Sequence, residues 1–177
     1  PIDALPSAPA VELCLHETLK LNRLPKHKQN AYKHSRYCIR QIIAQHTSSR
    51  LYYKPSGKPD ISNSSLTISI THSNQLWALA LMSCTSIGID AQYSAPKNPE
   101  ALAKKYPQFL RLTPTDVITR WKTLEAYCKC AEKPLLSTLR TPVDQLISKA
   151  GYFIEIEPKN KIVVVSSEEI KYVSLHT

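Results

Sequence analysis

Residues 66–82, LTISITHSNQLWALALM, constrain the fold more than any other stretch of the chain. Leu66, Ile68 and Ile70 alternate with Thr67, Ser69 and Thr71, and a period of two sends successive side chains to opposite faces of a half-buried strand. Asn74 and Gln75 then offer a turn into a second strand, LWALALM. SIGIDAQ (86–92) reads as a third. The pattern predicts an antiparallel meander with His72 and Asp90 at strand ends.

Elsewhere the apolar period lengthens toward that of a helix. PKHKQNAYKHSRYCIRQIIAQH (25–46) predicts a helix opened by Pro25, with an apolar side of Ala31, Cys38, Ile39, Ile42 and Ile43. Its other face carries Lys26, Lys28, Lys33, Arg36 and Arg40, and by pattern alone it reads as a solvated basic face. A short helix is expected over Val11–Leu21, after an irregular proline-rich start at 1–10. LYYKPSGKPDISNSS (51–65) is turn-rich, with Gly57 and two prolines. PEALAKKYPQFLR (99–111) suggests a short helix and a loop. TPTD (113–116) is a helix start, with Thr113 as N-cap, Pro114 in the first position and Asp116 as the capping acid. Val117, Ile118, Trp121, Leu124 and Cys128 then face a core, and Pro134 bounds the helix. GYFIEIEPKNKIVVVSS (151–167) reads as a hairpin around Pro158 to Lys161, and YVSLH (172–176) as a last strand.

Inside that helix, RWKTLEAYCK (120–129) stacks Trp121, Glu125 and Lys129 along one face. A glutamate four residues before a lysine is often a surface ion pair contributing a few tenths of a kcal/mol. The alternative is a carboxylate and a cation of an active site. Charge favours an anionic partner: 23 basic against 14 acidic side chains give +9. The chain has no basic-aromatic nucleic-acid motif and no finger spacing, so nucleic acid is not the expected partner. At 177 residues and 42% hydrophobic content, it suits one domain or two small halves with a packed interior. No apolar run nears the roughly 20 residues of a membrane span. The first twenty residues lack the basic and apolar regions of a secretory signal, and the start at Pro1 leads one to expect a missing initiator or tag. The five cysteines are odd in number and scattered, as expected of reduced thiols in a cytoplasmic protein; the C-x-C of Cys128 and Cys130 lacks a second ligand pair for zinc.

Taken in order, GKPDI, ITHS, IGIDAQ and WKTLEAYCK resemble the motifs of the 4'-phosphopantetheinyl transferases, in the larger, two-halved type that activates surfactin synthetase. The resemblance covers roughly residues 30–135. It implies an α+β fold of two pseudo-symmetric halves with antiparallel strands, near 1–90 (coenzyme A-binding, with the basic helix) and 91–177 (the catalytic helix and hairpin), with the site between them. It implies a monomeric, cytoplasmic holo-acyl-carrier-protein synthase. Such an enzyme moves the phosphopantetheine arm of coenzyme A onto a serine of an acyl or peptidyl carrier protein with Mg²⁺, releasing 3',5'-ADP. By the same resemblance Asp90 is a magnesium ligand. Glu125 ligates the metal and acts as base toward the serine. Lys129 contacts the phosphates and assists the leaving group. Arg36, Arg40, Lys58 and His72 hold the nucleotide end, and Trp121 is a packing anchor.

Three positions depart from that pattern. Gln92 stands where the family usually has a second acid, so it would fill the metal's shell with a neutral oxygen and weaken the site. Leu124 stands in place of a phosphate-facing lysine. CAEKPL (130–135) replaces a glycine-containing turn. These departures keep a second expectation open: a catalytically weak or silent relative that binds coenzyme A or a carrier.

Overall fold

The computed structural model of the chain describes residues 10–73, 76–92, 98–156 and 162–170. It is a mixed α+β protein built as two compact units, residues 1–64 and 65–177. The expected turn at Asn74–Gln75, the tip of the hairpin at 158–161 and the strand at 172–176 lie outside the described residues, as does nearly all of the proline-rich start. No described helix is long and apolar enough to cross a membrane.

The first unit holds α1 (Leu15–Arg23), α2 (Lys26–His46), β1 (Leu51–Tyr53) and β2 (Pro59–Ile61). Helix α2 takes the expected span and buries Ile39 and Ile43. Helix α1 begins four residues later than expected, where the Cys14 N–H donates to Glu17 at 3.2 Å and satisfies one of the open donors of the first turn. The turn-rich stretch contains two short strands paired antiparallel, Leu51 opposite Ile61. Gly57, at φ 83°, closes the loop between them, and its N–H donates to the Lys54 carbonyl.

The basic face of α2 is only partly solvated. Lys26, Lys28 and Lys33 are exposed, but Arg36 is buried and Arg40 is half-buried. Glu17, with no exposed surface, accepts from the guanidinium of Arg40, and Arg36 donates to the Tyr53 hydroxyl at 2.9 Å while lying over the Tyr32 ring. A buried carboxylate is tolerated only when paired, and Glu17 reaches Arg40 from the neighbouring helix α1, out of reach of a pattern reading of α2 alone.

The second unit holds β3 (Leu66–Ser73), β4 (Leu76–Ser83), β5 (Ile87–Ala91), α3 (Pro99–Lys105), a 3-10 turn at Pro107–Phe109, α4 (Pro114–Ala131), α5 (Leu135–Thr138), α6 (Val143–Ala150), β6 (Tyr152–Ile156) and β7 (Ile162–Ser166). Strands β3 and β4 pair antiparallel as expected, Leu66 opposite Ser83, and so do β6 and β7. The third strand departs from the meander: β5 does not join β4 but pairs with β7, in the order β5-β7-β6. All five residues of β7 are buried, which accounts for its unbroken IVVVS run. Val163 and Val165 face a core with Val117, Leu124, Tyr127, Leu139 and Leu146, whereas Ile162 and Val164 join Ile87, Ile89, Ala78 and Ala80.

The polar alternates of β3 are not solvated either. Ser69 and Thr71 are buried. Where β5 has no ladder partner toward β3, the Ile89 N–H donates to the Ser69 hydroxyl at 3.1 Å, so a side chain replaces a backbone bond.

Candidate active site

Helix α4 starts as its sequence predicts. The Thr113 hydroxyl accepts from the Asp116 N–H at 3.2 Å and donates to its carboxylate at 2.6 Å, and Pro114 fills the first position. A left-handed Glu132, at φ 53°, ends it. From Trp121 to Cys130 every residue is buried except Trp121, Glu125 and Lys129. The stripe picked out by its four-residue spacing is therefore the only partly open side of an otherwise enclosed segment.

Gly88 brings that stripe to β5. A Cβ on Gly88 would stand 1.9 Å from the Ala126 carbonyl oxygen and 2.5 Å from the Cys130 nitrogen, so only glycine lets the helix backbone lie so close to the strand. Two residues on, Asp90 shares the strand face of Gly88 and meets the helix as well. The Lys129 ammonium donates to Asp90 Oδ1 at 2.7 Å and to the Ile89 carbonyl at 2.8 Å. The Thr71 hydroxyl donates to the same Oδ1 at 3.0 Å. Asp90 Oδ2 is buried with no N–H or alcohol donor among the described residues, and the Glu125 carboxyl hydrogen-bonds the Asp90 side chain.

Glu125 completes the cluster. Burial pushes its carboxyl above the usual range, and the charge of neighbouring Asp90 pushes it further; Lys129 and a hydrogen bond from Trp121 pull the other way. Trp121 thus does more than anchor: it holds Glu125 while packing 6.3 Å from the Phe109 ring. Two carboxylates side by side, one with a bare buried oxygen, suit a cation that both could hold. A hard divalent ion bound by Asp90 and Glu125 would fit these donors; Gln92, the neutral third ligand expected from the sequence, is half-buried just past the end of β5. Among the described residues no three His, Cys, Asp or Glu side chains gather.

The other expected site residues divide. Arg36 and Arg40 are neighbours on α2, tied to Tyr53 and Glu17 as described. Lys58 is half-buried at the hairpin of the first unit, where its carbonyl accepts from the Lys54 N–H at 2.9 Å. His72 is exposed, on the face of β3 opposite Thr71. Thr71 and Gly88 are the site residues a residue-by-residue reading missed. A glycine inside a strand pattern is the signal that could have found Gly88, but a buried threonine in an alternating strand carries no mark of its own.

Neither a model of a known protein family nor a curated protein matches the chain.

Proposed function

We propose that the chain transfers the 4'-phosphopantetheine arm of coenzyme A to a serine of an acyl or peptidyl carrier protein, within the 4'-phosphopantetheinyl transferase fold, in the cytoplasm and as a monomer. The observation that carries the proposal is the meeting of Asp90, Glu125 and Lys129 at the half-open stripe of α4. The serine oxygen attacks the phosphorus that bears the pantetheine arm, the bond to the other phosphate breaks, and 3',5'-ADP leaves. Glu125, whose carboxyl is held above its usual range by burial and by the charge of Asp90, takes the serine proton in its ionised form. The Lys129 ammonium places a positive charge where the diphosphate gains negative charge. Mg²⁺, when bound by Asp90 and Glu125 with Gln92, supplies charge neutralisation at the phosphates. Arg36, Arg40, Lys58 and His72 retain their phosphate-binding roles as part of the proposal.

The test is incubation with coenzyme A, Mg²⁺ and a panel of apo-carrier proteins, read by intact mass for one added phosphopantetheine. Glu125→Ala removes ligand and base together and abolishes transfer. Gln92→Glu adds a negative oxygen and lowers the Mg²⁺ needed for half-maximal transfer. Transfer by Glu125→Ala at the wild-type rate refutes the mechanism.

A second reading has its own support. Lys129 already neutralises Asp90 at 2.7 Å, and Gln92 supplies no charge, as suits a relative that binds coenzyme A or a carrier without transfer. Calorimetry showing tight coenzyme A binding, with no carrier modified by wild type or Gln92→Glu, would select it.

A further inference from the structure

The Asp90 carboxylate is held unevenly. Thr71 and Lys129 both donate to Oδ1, at 3.0 and 2.7 Å, whereas buried Oδ2 receives no N–H or alcohol donor among the described residues and Glu125 is the acid that neighbours the carboxylate. The asymmetry has a structural source. On β3, Ser69 and Thr71 project from the same face, and each takes one group of β5: Ser69 the Ile89 N–H, Thr71 the next side chain along. The two hydroxyls dock β3 onto β5 in a fixed register and fix which way the Asp90 carboxylate is turned. Lys129 alone could not do this, because an ammonium is a point charge that pairs with either oxygen. Thr71 lies 5% exposed and Asp90 3%, so no water competes for the bond.

We propose that Thr71 is the positioning residue of the site: its hydroxyl pins Asp90 by Oδ1 and leaves Oδ2 as the oxygen for a divalent cation. This rests on the reading of Asp90 as a metal ligand. Thr71 touches neither substrate nor ion; it sets the carboxylate's rotation, as the outer partners of metal ligands do elsewhere, at a typical cost of 10–100-fold in metal affinity when removed.

The probe is Mn²⁺, titrated into the full chain with and without coenzyme A and followed by the loss of the free ion's electron spin resonance signal. Thr71→Val keeps the shape and removes the hydroxyl, so Mn²⁺ affinity falls about tenfold. Thr71→Ala removes the hydroxyl without crowding β5 and falls similarly, which covers the case in which the valine variant fails to fold. Thr71→Ser keeps the donor and stays within about twofold of wild type. Wild-type affinity in either hydroxyl-free variant overturns the role of Thr71 while leaving the metal site intact. Equal weakening in Thr71→Ser and Thr71→Ala overturns it too, since the methyl would then be what matters. If the wild type takes up no Mn²⁺, the reading of Asp90 as a ligand fails, and the inference fails with it.

Discussion

Gly88→Ala is the smallest change that should dismantle the site without touching any of its polar groups. Ordinary contact begins near 3.4 Å, and the new methyl would meet the Ala126 carbonyl oxygen at 1.9 Å, the Cys130 nitrogen at 2.5 Å and the Ala126 carbonyl carbon at 3.0 Å. All three are backbone atoms of α4, so no rotamer change relieves them and helix and strand must separate by about 1.5 Å. The same displacement carries Lys129 from 2.7 Å to roughly 4 Å from Asp90, outside hydrogen-bond range. Overpacking of this kind costs about 1–3 kcal/mol, and loss of a charge-assisted bond to a buried acid adds about 1.5–3 kcal/mol. The two effects share one movement, so we take about 3 kcal/mol for the pair, a fall of roughly 6–12 °C in Tm for a chain of this size. Thermal unfolding followed by circular dichroism reads the first effect. Mn²⁺ titration of the folded variant at low temperature reads the second, as a loss of affinity. A Gly88→Ala protein that melts within about 2 °C of wild type would show that α4 does not rest on β5 as described, and the site's geometry would go with it.

Glu125→Gln should stabilise the chain at neutral pH in a chelating buffer. Burial and Asp90 raise the Glu125 carboxyl, so the folded state holds its proton more tightly than the unfolded state. Stability then falls as pH rises from about 4.5 through the folded value, and the advantage of the glutamine should vanish below pH 4.5; urea midpoints across pH 4–8 that run parallel for the two proteins refute this. Arg40→Leu should cost about 3 kcal/mol because it strands Glu17, which is fully buried, whereas Lys33→Leu on the exposed face should change little. Burial alone would raise Glu17, but the hydrogen bond and charge of Arg40, the Cys14 N–H and the charge of Arg36 outweigh it and lower its carboxyl. Its contribution is therefore present above pH 4.5 and lost as pH falls through the lowered value; urea midpoints that fall equally on acidification in wild type and Glu17→Gln would contradict it.

What could be read in the sequence was what local periodicity encodes. Helices α2 and α4 and the β3–β4 pair follow from apolar spacing of 3.6 or 2 and from the caps at Pro25 and Thr113, and the β6–β7 pair from two apolar runs either side of a turn-forming stretch. Strands β1 and β2, three residues each around prolines and a glycine, were too short to show a period. The partner of β5 was illegible for another reason. Its residues suit a buried strand equally well beside β4 or β7, and the choice depends on contacts made across the whole second unit. The same limit hid the burial of Arg36 and Lys122. A cation on a helix reads as solvated, and only the folded neighbours show otherwise. In the site, Asp90, Glu125 and Lys129 were legible because each lies in a spaced motif; that Lys129 reaches past Glu125 to the strand was not.

That reach separates the two meanings of a Glu-x-x-x-Lys pair. On a solvated helix face the lysine would have nothing better than the glutamate four residues before it, and the pair would stabilise the helix by about 0.3–0.5 kcal/mol. Here the ammonium binds Asp90 and the Ile89 carbonyl instead, both on β5. It is also needed there, since Asp90 is 3% exposed and burying a carboxylate without a partner is costly. Glu125 is thereby left without its usual partner. It is held by Trp121 and pressed against a second acid, the one arrangement in the stripe that opposes folding. A surface ion pair gives no reason to place two carboxylates together at the half-open edge of an enclosed helix. The site proposed above, which would hold a cation and accept a proton, does.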